Sequence, residues 1–439
     1  MQTPRTPAEW CAYLIGFDTT NFGEGESRGE TPLAEEIARL LRAAGYDPEM
    51  YAREPHRAST VVRVRGESPE SPALLIHGHL DVVPAEAEHW SVPPFEGRIA
   101  DGYVYGRGAS DMKDTVAMML ATLLEWAEQG ITPQRDIVFL FIADEEDRGA
   151  WGSSWLVETH PEIFTRVGGA IGESGGAPTR LPAADGSTVA IYPVAVAERG
   201  TLHMRLRAEG PAGHGSRPTP GSAVTKLLGA AHRINSYEWP LTLTDTVREY
   251  ISATNSALGY QAELETEAGV DQAIARMGDA GTVARVTIRC SATTTVLKAG
   301  YKVNVIPGVA EADVDVRCLP GTYESTLETL AGLIGPEVSW TLIDPSEPTN
   351  FSSASPWFAS MREALLRHDP DAVVVPYCMG GGTDSKAFAR LGIECFGFTP
   401  LTADPEGRRS EGMHGVDERV PVASVNGGQR ILSDFLRYV

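Results

Sequence analysis

Three acidic residues follow directly on a short apolar run in the stretch RDIVFLFIADEEDRGAWGS. The run Ile137–Ile142 is rich in β-branched and aromatic residues, which predicts a fully buried strand of a parallel sheet. Asp144, Glu145 and Glu146 then stand at the carboxyl end of that strand, where α/β sheets bind ligands. Carboxylates crowded there stay ionised only beside a strong positive charge. The stretch therefore indicates a metal centre, with a solvated acidic turn as the alternative.

A histidine and an aspartate stand two residues apart in the stretch LLIHGHLDVVP, where another predicted strand ends. Side chains two apart on a strand share one face. We interpret His79 as a metal ligand and Asp81 as the carboxylate that fixes its tautomer and ring direction. His77 has the same spacing from His79, but we interpret it as a strand histidine satisfied by hydrogen bonds.

Three further acidic or histidine residues could complete the centre. Asp111 lies in the glycine-rich stretch YGRGASDMKDT, where its two oxygens could bridge two metal ions. Alternatively it caps the following helix, a place that Asp114 could take instead. Glu173 in AIGESGG and His414 in RRSEGMHGVDERV are each weak signals alone. Together the set offers two histidines and three carboxylates, one of them shared, which two zinc ions and a bridging water need.

This donor set also restricts which metal ion the centre would bind. Histidine with carboxylate suits zinc better than calcium or magnesium, with cobalt or manganese as possible substitutes. The prediction is therefore a pair of Zn²⁺ ions.

Charge and cysteine content exclude several classes of protein. The 37 basic and 59 acidic residues give a net charge of −22, which argues against nucleic acid or an anionic membrane as partner. The five cysteines lack CxxC spacing, which argues against a disulfide framework and favours a reducing, cytoplasmic compartment. The opening MQTPRTPAEW does not have the pattern of a secretory signal, and we expect no membrane-spanning segment.

Strands alternate with helices in both outer parts of the chain, residues 1–196 and 347–439. Such alternation predicts an α/β domain with a mainly parallel central sheet. Segments between them, such as 201–208 and 283–289, alternate apolar and polar residues instead. That pattern predicts strands with one wet face and hence a separate α+β domain.

The predicted organisation is therefore a discontinuous catalytic domain interrupted by a smaller domain at residues 197–346. Within the smaller domain, residues 237–279 have the pattern of an acidic, mostly helical insertion to which no role is assigned.

Five segments occur in an order typical of one enzyme family: HGHLDVVP, GRGASDMK, DEEDRGAWG, IGES and GMHGVDE. The chain thereby resembles, over nearly its whole length, the co-catalytic zinc peptidases. These include aminoacylase, acetylornithine deacetylase, succinyl-diaminopimelate desuccinylase, glutamate carboxypeptidase and carboxypeptidase S. The resemblance implies a zinc-peptidase-like catalytic domain and an inserted ferredoxin-like domain that acts as a lid and pairs two subunits into a homodimer.

The resemblance also assigns roles to individual residues. It implies two ligand sets that share one residue: His79, Asp111 and Glu173 for one zinc ion, and Asp111, Glu146 and His414 for the other. Glu145 becomes the general base, and Asp81 supports His79. A cis peptide bond is expected between Asp111 and Met112.

Further matches concern the substrate. His214, in GPAGHGSRP, is either a surface-loop histidine or, by resemblance, an oxyanion donor often delivered by the partner subunit. The resemblance also matches Asn304 in KVNVIPG, and Arg317 in DVRCLPG could grip a substrate carboxylate or form a structural salt bridge. The stretch GGGTDS lacks the lysine and hydroxyl pair of a phosphate loop. Backbone amides of Gly381 and Gly382 could instead bind the carboxylate.

These assignments predict zinc-dependent hydrolysis of the amide bond of an N-acyl amino acid. A water bridging the zinc ions would ionise near neutral pH, with Glu145 accepting its proton. A metallocarboxypeptidase or dipeptidase that removes a C-terminal residue is the alternative. A zinc-dependent sensor or scaffold with a dead site would lack Glu145 or a ligand, and none is missing. A nucleotide-binding enzyme would need a phosphate fingerprint, which we do not find.

Overall fold

The computed structural model describes residues 4–217 and 219–439. The α-helices are α1 Pro7–Ile15, α2 Thr31–Ala43, α3 Lys113–Gln129, α4 Ser153–Thr159, α5 Ala223–Asn235, α6 Asp245–Ala257, α7 Glu267–Arg276, α8 Asp279–Arg285, α9 Tyr323–Ile334, α10 Pro356–His368, α11 Ser385–Ala389 and α12 Val422–Tyr438.

Strands alternate with these helices in the first and last parts of the chain. The first strands are β1 Asn21–Gly23, β2 Glu26–Ser27, β3 Glu49–Ala52, β4 Ala58–Val64, β5 Ala73–His79, β6 Arg98–Ala100, β7 Tyr103–Tyr105, β8 Ile137–Ile142, β9 Val167–Gly172, β10 Thr179–Pro182 and β11 Thr188–Glu198. The others are β12 Gly200–Thr201, β13 Met204–Glu209, β14 Gly213–His214, β15 Ser291–Ala299, β16 Val305–Ile306, β17 Val309–Cys318, β18 Val338–Leu342, β19 Thr349–Asn350, β20 Val373–Met379, β21 Glu394–Gly397 and β22 Arg419–Pro421.

A ten-stranded sheet forms the middle of the larger unit. Its central strands follow the order β21–β9–β5–β8, and all three pairings among them are parallel. Strands β4 and β3 extend the sheet on one side with antiparallel pairings. The predicted α/β class with a mainly parallel central sheet is confirmed.

Strand β8 shows why this sheet is buried on both faces. All six of its residues are buried, as the continuous apolar run predicted. Phe139 and Phe141 pack into the core beneath α1, α3 and α12, whereas Leu140 and Ile142 pack into the core on the opposite face with α4 and α11. Because successive side chains of a strand point to opposite faces, one apolar run fills both cores. Burial of each such side chain contributes about 1.5–3 kcal/mol.

The smaller unit is an antiparallel sheet with two helices against it. Its main strands have the order β18–β13–β17–β15, and α5 and α9 contact each other above them. In chain order the unit is β13, α5, β15, β17, α9, β18, which is the ferredoxin-like arrangement that the resemblance implied. It has its own core, built around Leu206, Val314 and Leu330.

The helical segment inside the smaller unit packs on the larger one. Tyr250 and Ile251 of α6 and Ile274 of α7 belong to the same core as Val375 and Tyr377 of β20. By its contacts this segment is therefore part of the large core, although it lies within the predicted boundaries 197–346. Those boundaries otherwise stay a prediction.

One strand prediction is wrong. The alternating segment 283–289 lies in the end of helix α8 and the turn that follows it, and the neighbouring strand β15 begins only at Ser291. Ala280 and Ala284, four residues apart, are buried on one face of α8. A pattern of only seven residues is compatible with the periods of both a helix and a strand. Burial of this apolar face favours the helix.

Two simpler expectations concern the cysteines and the membrane. All five cysteines are buried and unpaired, as expected of a chain without a disulfide framework. Among the residues described, no helix combines the length and apolar character that crossing a bilayer requires.

Candidate metal centre

Three adjacent parallel strands deliver acidic and histidine side chains to one edge of the large sheet. His79 is the last residue of β5, and Glu173 follows β9 directly. Glu145 and Glu146 lie in a short 3₁₀ turn, two residues after β8 ends. Because β5 lies between β9 and β8, the carboxyl ends of these strands bring all four side chains to the same place.

Asp111 lies between two histidines and offers one oxygen to each. Its Oδ1 is 3.0 Å from Nε2 of His79, and its Oδ2 is 3.0 Å from Nε2 of His414. Helix α3 begins at Lys113 without any side-chain cap, so Asp111 and Asp114 do not have the capping role considered from the sequence. The expected cis peptide bond between Asp111 and Met112 is present.

The ligand atoms form overlapping triplets whose members all lie within 4.8 Å of one another. The triplets are His79–Asp111–Glu173, Asp111–Glu146–His414 and His79–Glu145–Glu146. The first two are the ligand sets that the sequence resemblance implied. His77 is in none of them; its buried ring packs against Phe388, and burial lowers its pKa to about 3.

The electrostatics of the cluster favour a bound cation. Burial raises the pKa of Glu173 to about 8, and burial together with the charge of Glu173 raises the pKa of Glu145. The carboxylate of Asp111, 3.0 Å from Nε2 of His414, and the nearby carboxylate of Glu146 raise the pKa of His414 to about 10. Carboxylates that resist ionisation and a histidine that holds a proton both show a strongly negative potential, which divalent cations would neutralise.

The donor atoms fit such an ion. Among the described residues, none makes a hydrogen bond to the buried Oε1 of Glu146, and Nε2 of His414 lies 3.4 Å from it. A buried carboxylate oxygen without a partner is costly unless something else binds it. Imidazole nitrogens and carboxylate oxygens in triplets are the set that zinc takes in proteins. The residues therefore fit a dinuclear metal centre.

Asp81 stabilises the turn that carries the two glutamates. Its Oδ1 accepts the backbone N–H of Glu145 and its Oδ2 that of Glu146, each at 3.1 Å. Its main-chain oxygen lies 3.0 Å from Nδ1 of His79, whereas its carboxylate is 3.6 Å away. The contact with His79 that the sequence predicted is thus made mainly by the backbone, and the carboxylate orients Glu145 and Glu146.

Residues beside the ligands adopt the left-handed backbone conformation that non-glycine residues rarely adopt. Asp144, Ser174 and His414 have φ angles of 68°, 70° and 55°. Such conformations cost about 1–3 kcal/mol each and persist only where surrounding contacts fix them. For Asp144 the contacts are visible: its carboxylate accepts hydrogen bonds from Arg57 at 2.6 Å, Asn21 at 3.1 Å and the Trp151 N–H at 2.9 Å.

A buried ion network that the sequence did not predict lies behind this turn. Arg57 binds Glu30 through two hydrogen bonds of 2.7 and 2.9 Å and also reaches Asp144. Asn21 connects Asp144 to Asp81, so the network extends to the backbone of the glutamates. Glu30, Arg57 and Asn21 fall in no recognisable motif, and only their charge opposite the acidic triplet could have suggested the pairing.

Arg57→Met is expected to destabilise the protein by about 3–5 kcal/mol, because Glu30 and Asp144 would stay buried without their cation. The free energy of unfolding from denaturant titration measures the effect. Arg205→Met is the matched control: Arg205 also binds a carboxylate, that of Asp313, through two hydrogen bonds, but it lies at the surface of the small unit. Its loss should cost about 1 kcal/mol or less. Equal losses in the two variants would contradict a special role for the buried network.

The residues predicted to contact substrate belong to none of the donor triplets. His214 is exposed on β14, with Nδ1 2.8 Å from the Ser216 hydroxyl, and Asn304 is exposed beside it, accepting the Gly215 N–H through its main-chain oxygen at 2.9 Å. Arg317 binds Asp315 through two hydrogen bonds of 2.8 and 3.1 Å. In this conformation Arg317 thus makes the structural salt bridge that was the alternative.

The glycine-rich loop of residues 380–385, GGGTDS, lies close to the candidate metal ligands. Asp384, four residues after its first glycine, raises the pKa of Glu145 and Glu173 in addition to the effect of burial. Within the described residues, no hydrogen bond is donated by the backbone of Gly381 or Gly382. Asp384 itself is buried, and its Oδ2 has no hydrogen-bond partner among the described residues. From the sequence, only the backbone amides of this segment were expected to take part in binding.

Comparison with known proteins identifies related sequences. The profile of the Peptidase family M20/M25/M40 matches residues 75–438. The N-fatty-acyl-amino acid synthase/hydrolase PM20D1 of Homo sapiens is 26% identical over 373 residues, which cover 83% of this chain and 73% of the relative. Aminoacylase-1 of Sus scrofa is 27% identical over 410 residues, which cover 92% and 88%.

A solved structure has the same fold. The M20 family metallo-carboxypeptidase of Sulfolobus solfataricus superimposes with a TM-score of 0.71 at 16% sequence identity, and the match covers 99% of both chains. The likeness therefore extends to the large sheet and to the inserted domain.

Proposed function

Because this chain belongs to the peptidase family M20/M25/M40, it is a hydrolase of amide or peptide bonds, and we propose that it cleaves N-acyl amino acids at a dinuclear zinc centre. The observation that carries the proposal is the position of Asp111, with one carboxylate oxygen facing His79 and the other facing His414. A carboxylate placed in this way is suited to be shared by both metal ions. N-fatty-acyl-amino acids are named as the substrate of one relative that covers most of the chain, PM20D1, and another is named aminoacylase-1.

The residues of the chain divide into ligands and a base. His79, Asp111 and Glu173 would hold one ion, and Glu146 and His414 would complete the second set with Asp111. Bound zinc would acidify water and polarise the substrate carbonyl. Glu145 has its carboxylate beside both sets, and its backbone is held by Asp81. It would accept the proton of the attacking water and deliver it to the leaving nitrogen.

Positive charge around the glycine-rich loop supports recognition of a substrate carboxylate. Burial and the nearby Arg317 lower the pKa of Arg199 and of Lys386, so the three cations share one region. The Lys386 ammonium lies close to the backbone of Gly382, because a Cβ atom added to this glycine would be 2.7 Å from Nζ of Lys386. The N–H groups of Gly381 and Gly382, which donate no hydrogen bond within the described residues, lie near these cations and could bind a carboxylate. Arg317 would exchange Asp315 for the substrate.

A panel of paired substrates tests this proposal. We expect release of free amino acid from N-acetyl and long-chain N-acyl amino acids, and a rate at least about tenfold lower when the carboxylate is amidated, because a charged hydrogen bond is lost. N-blocked dipeptides with a free or amidated C-terminus form the second arm. Faster cleavage of the dipeptides would support the carboxypeptidase alternative, and equal rates for free and amidated substrates would contradict the carboxylate anchor.

We also propose that the inserted domain forms a homodimer that delivers His214 to the centre of the partner. Strand β15 is paired only with β17 among the described residues, and its apolar side chains are exposed. Leu297 is 59% exposed, and Tyr301 and Val303 of the next turn are exposed by 85% and 102%. An unpaired edge strand with exposed apolar residues is suited to pair with a second copy.

Leu297→Lys is expected to shift the protein from dimer to monomer, because a charge would be placed on the apolar edge. Light scattering after size-exclusion chromatography measures the mass, and activity per chain should fall if His214 acts across the interface. The control is Leu391→Lys, an exposed leucine that follows α11 in the larger unit. A monomeric wild-type protein with full activity would rule the dimer out.

A further inference from the structure

One buried carboxylate connects the loop of Asp111 to the loop of His414. Glu418 is fully buried and accepts five hydrogen bonds, all from the segment that leads to Asp111. Its Oε1 accepts the Ser110 N–H at 2.8 Å, the Ser110 hydroxyl at 3.1 Å and the Asp111 N–H at 3.2 Å. Its Oε2 accepts the Gly108 N–H at 3.0 Å and Nη1 of Arg107 at 2.6 Å.

Arg107 makes the connection in the opposite direction. Its Nη2 donates to the main-chain oxygen of Gly415, the residue after His414, at 2.9 Å, and to that of Pro84 at 3.3 Å. The guanidinium also lies over the ring of Trp90, 5.2 Å from its centre. Glu418 thus holds the backbone beside Asp111 while Arg107 holds the backbone beside His414. We call this reciprocal pair the Arg107–Glu418 clasp.

We propose that the Arg107–Glu418 clasp positions Asp111 against His414 and thereby controls the affinity of the metal site formed by Asp111, Glu146 and His414. The inference rests on the dinuclear centre proposed above. It assigns a positioning role to two residues that contact no reacting atom. Both lie in segments that the sequence analysis singled out, YGRGASDMK and GMHGVDE, but neither had been given a role.

The two metal sites depend on the clasp to different degrees. His79 ends a strand that is paired on both sides, so the sheet fixes its position. His414 lies in an irregular loop with a left-handed backbone, and its side chain is about half exposed. Because no regular element fixes His414, the contact of Arg107 with Gly415 is a main restraint on its approach to Asp111.

The ion pair is better suited to fixing the positions of the two loops than to stabilising the fold. Arg107 and Glu418 are only 3% and 0% exposed, and the desolvation of a buried pair offsets much of its attraction. Five donors in fixed directions nevertheless define one position for the carboxylate. Residues that orient metal ligands in this way commonly change metal affinity by about 10–100-fold when they are replaced.

Competition titration of the metal-free protein with Zn²⁺ and a chromophoric chelator tests the proposal. Glu418→Gln keeps the shape of the side chain but replaces one accepting oxygen by an NH₂ group, which would face other donors. Arg107→Lys keeps the charge but offers a single nitrogen to several acceptors. In each variant we expect the zinc ion held by Asp111, Glu146 and His414 to bind about 10–100-fold more weakly, and the other ion, which shares Asp111 alone, to lose much less affinity. The visible absorption of the Co²⁺-loaded protein should change mainly for the weaker ion.

Asp136→Asn is the matched control. Asp136 is also a buried carboxylate that accepts hydrogen bonds from arginine side chains and a backbone N–H, those of Arg63, Arg65 and Gly66. It lies at the opposite edge of the same sheet, before strand β8. This variant should lose stability without any change in either zinc affinity.

The outcomes separate the inference from the proposed function. A wild-type protein that binds fewer than two zinc ions would contradict the dinuclear centre. Wild-type binding of two ions, with unchanged affinities in both clasp variants, would overturn the clasp alone. Equal weakening of both ions in step with thermal stability would mean a purely structural role and would also overturn it. If Glu418→Gln does not fold, Arg107→Lys decides by the same criteria.

Discussion

Replacement of Glu145 by Gln is expected to lower kcat by about 10²–10⁴-fold while both metal ions stay bound, because the amide cannot accept a proton. The geometry behind this expectation is a carboxylate within 4.8 Å of ligand atoms of His79 and Glu146, in a turn held by Asp81. Burial and the charge of Glu173 raise the pKa of Glu145, which makes its carboxylate a stronger base. Steady-state kinetics and metal analysis by mass spectrometry measure the two quantities.

Neighbouring variants make this expectation specific. Glu146→Gln should lose metal, because Glu146 belongs to a ligand set. Asp147→Asn should retain both metal and most activity, since Asp147 binds Arg148 and the Gly25 N–H instead of the cluster. An active Glu145→Gln enzyme, within about tenfold of wild type, would remove Glu145 from the role of general base.

Asp111→Asn is expected to abolish both metal binding and turnover, the largest effect of any single replacement. Asn keeps the size of the side chain but has one oxygen and no charge, so it cannot serve two ions. The electrostatic attraction of a buried carboxylate for two divalent cations would be lost from both sets together. We expect activity below about one thousandth of wild type, as for other groups on which a metal-assisted step depends.

Metal content distinguishes Asp111 from the ligands that belong to one set. Glu173→Gln and His414→Ala should each weaken one ion, whereas Asp111→Asn should weaken both. Excess Zn²⁺ should restore part of the activity of the single-set variants. If Asp111→Asn retained one ion at wild-type affinity, Asp111 would be a ligand of a single site, and the bridging arrangement would be wrong.

Much of the fold followed from local pattern. The strand predicted at residues 137–142 has those bounds in the structure, because a continuous apolar run leaves little ambiguity. The alternation at 283–289 was too short to exclude a helix. The apolar stripe of α6 predicts that one face is buried, but it does not tell which of two cores receives it.

The candidate site likewise has residues that could be predicted from the sequence and residues that could not. The residues of its donor triplets could be predicted to lie together because each stands near the end of a strand or in a loop with glycines, and because the resemblance orders them along the chain. The residues that hold them were not predictable. Glu418 and Asp111 are 307 residues apart, and Arg57 and Asp144 are 87 apart. Pairings over such separations leave no local signal in a single sequence, even where a residue such as Glu418 lies within a motif.

The interrupted layout of the large sheet has a consequence for synthesis on the ribosome. Strands β20 and β21 and helix α12 come last, and α12 packs on α1 and α3 from the beginning of the chain. The inserted ferredoxin-like unit, by contrast, has all its strands and its own core between Gly200 and Leu342. It is therefore the first part of the nascent chain that can bury a complete apolar core. The core of the larger unit is completed only after helix α12 has been synthesised.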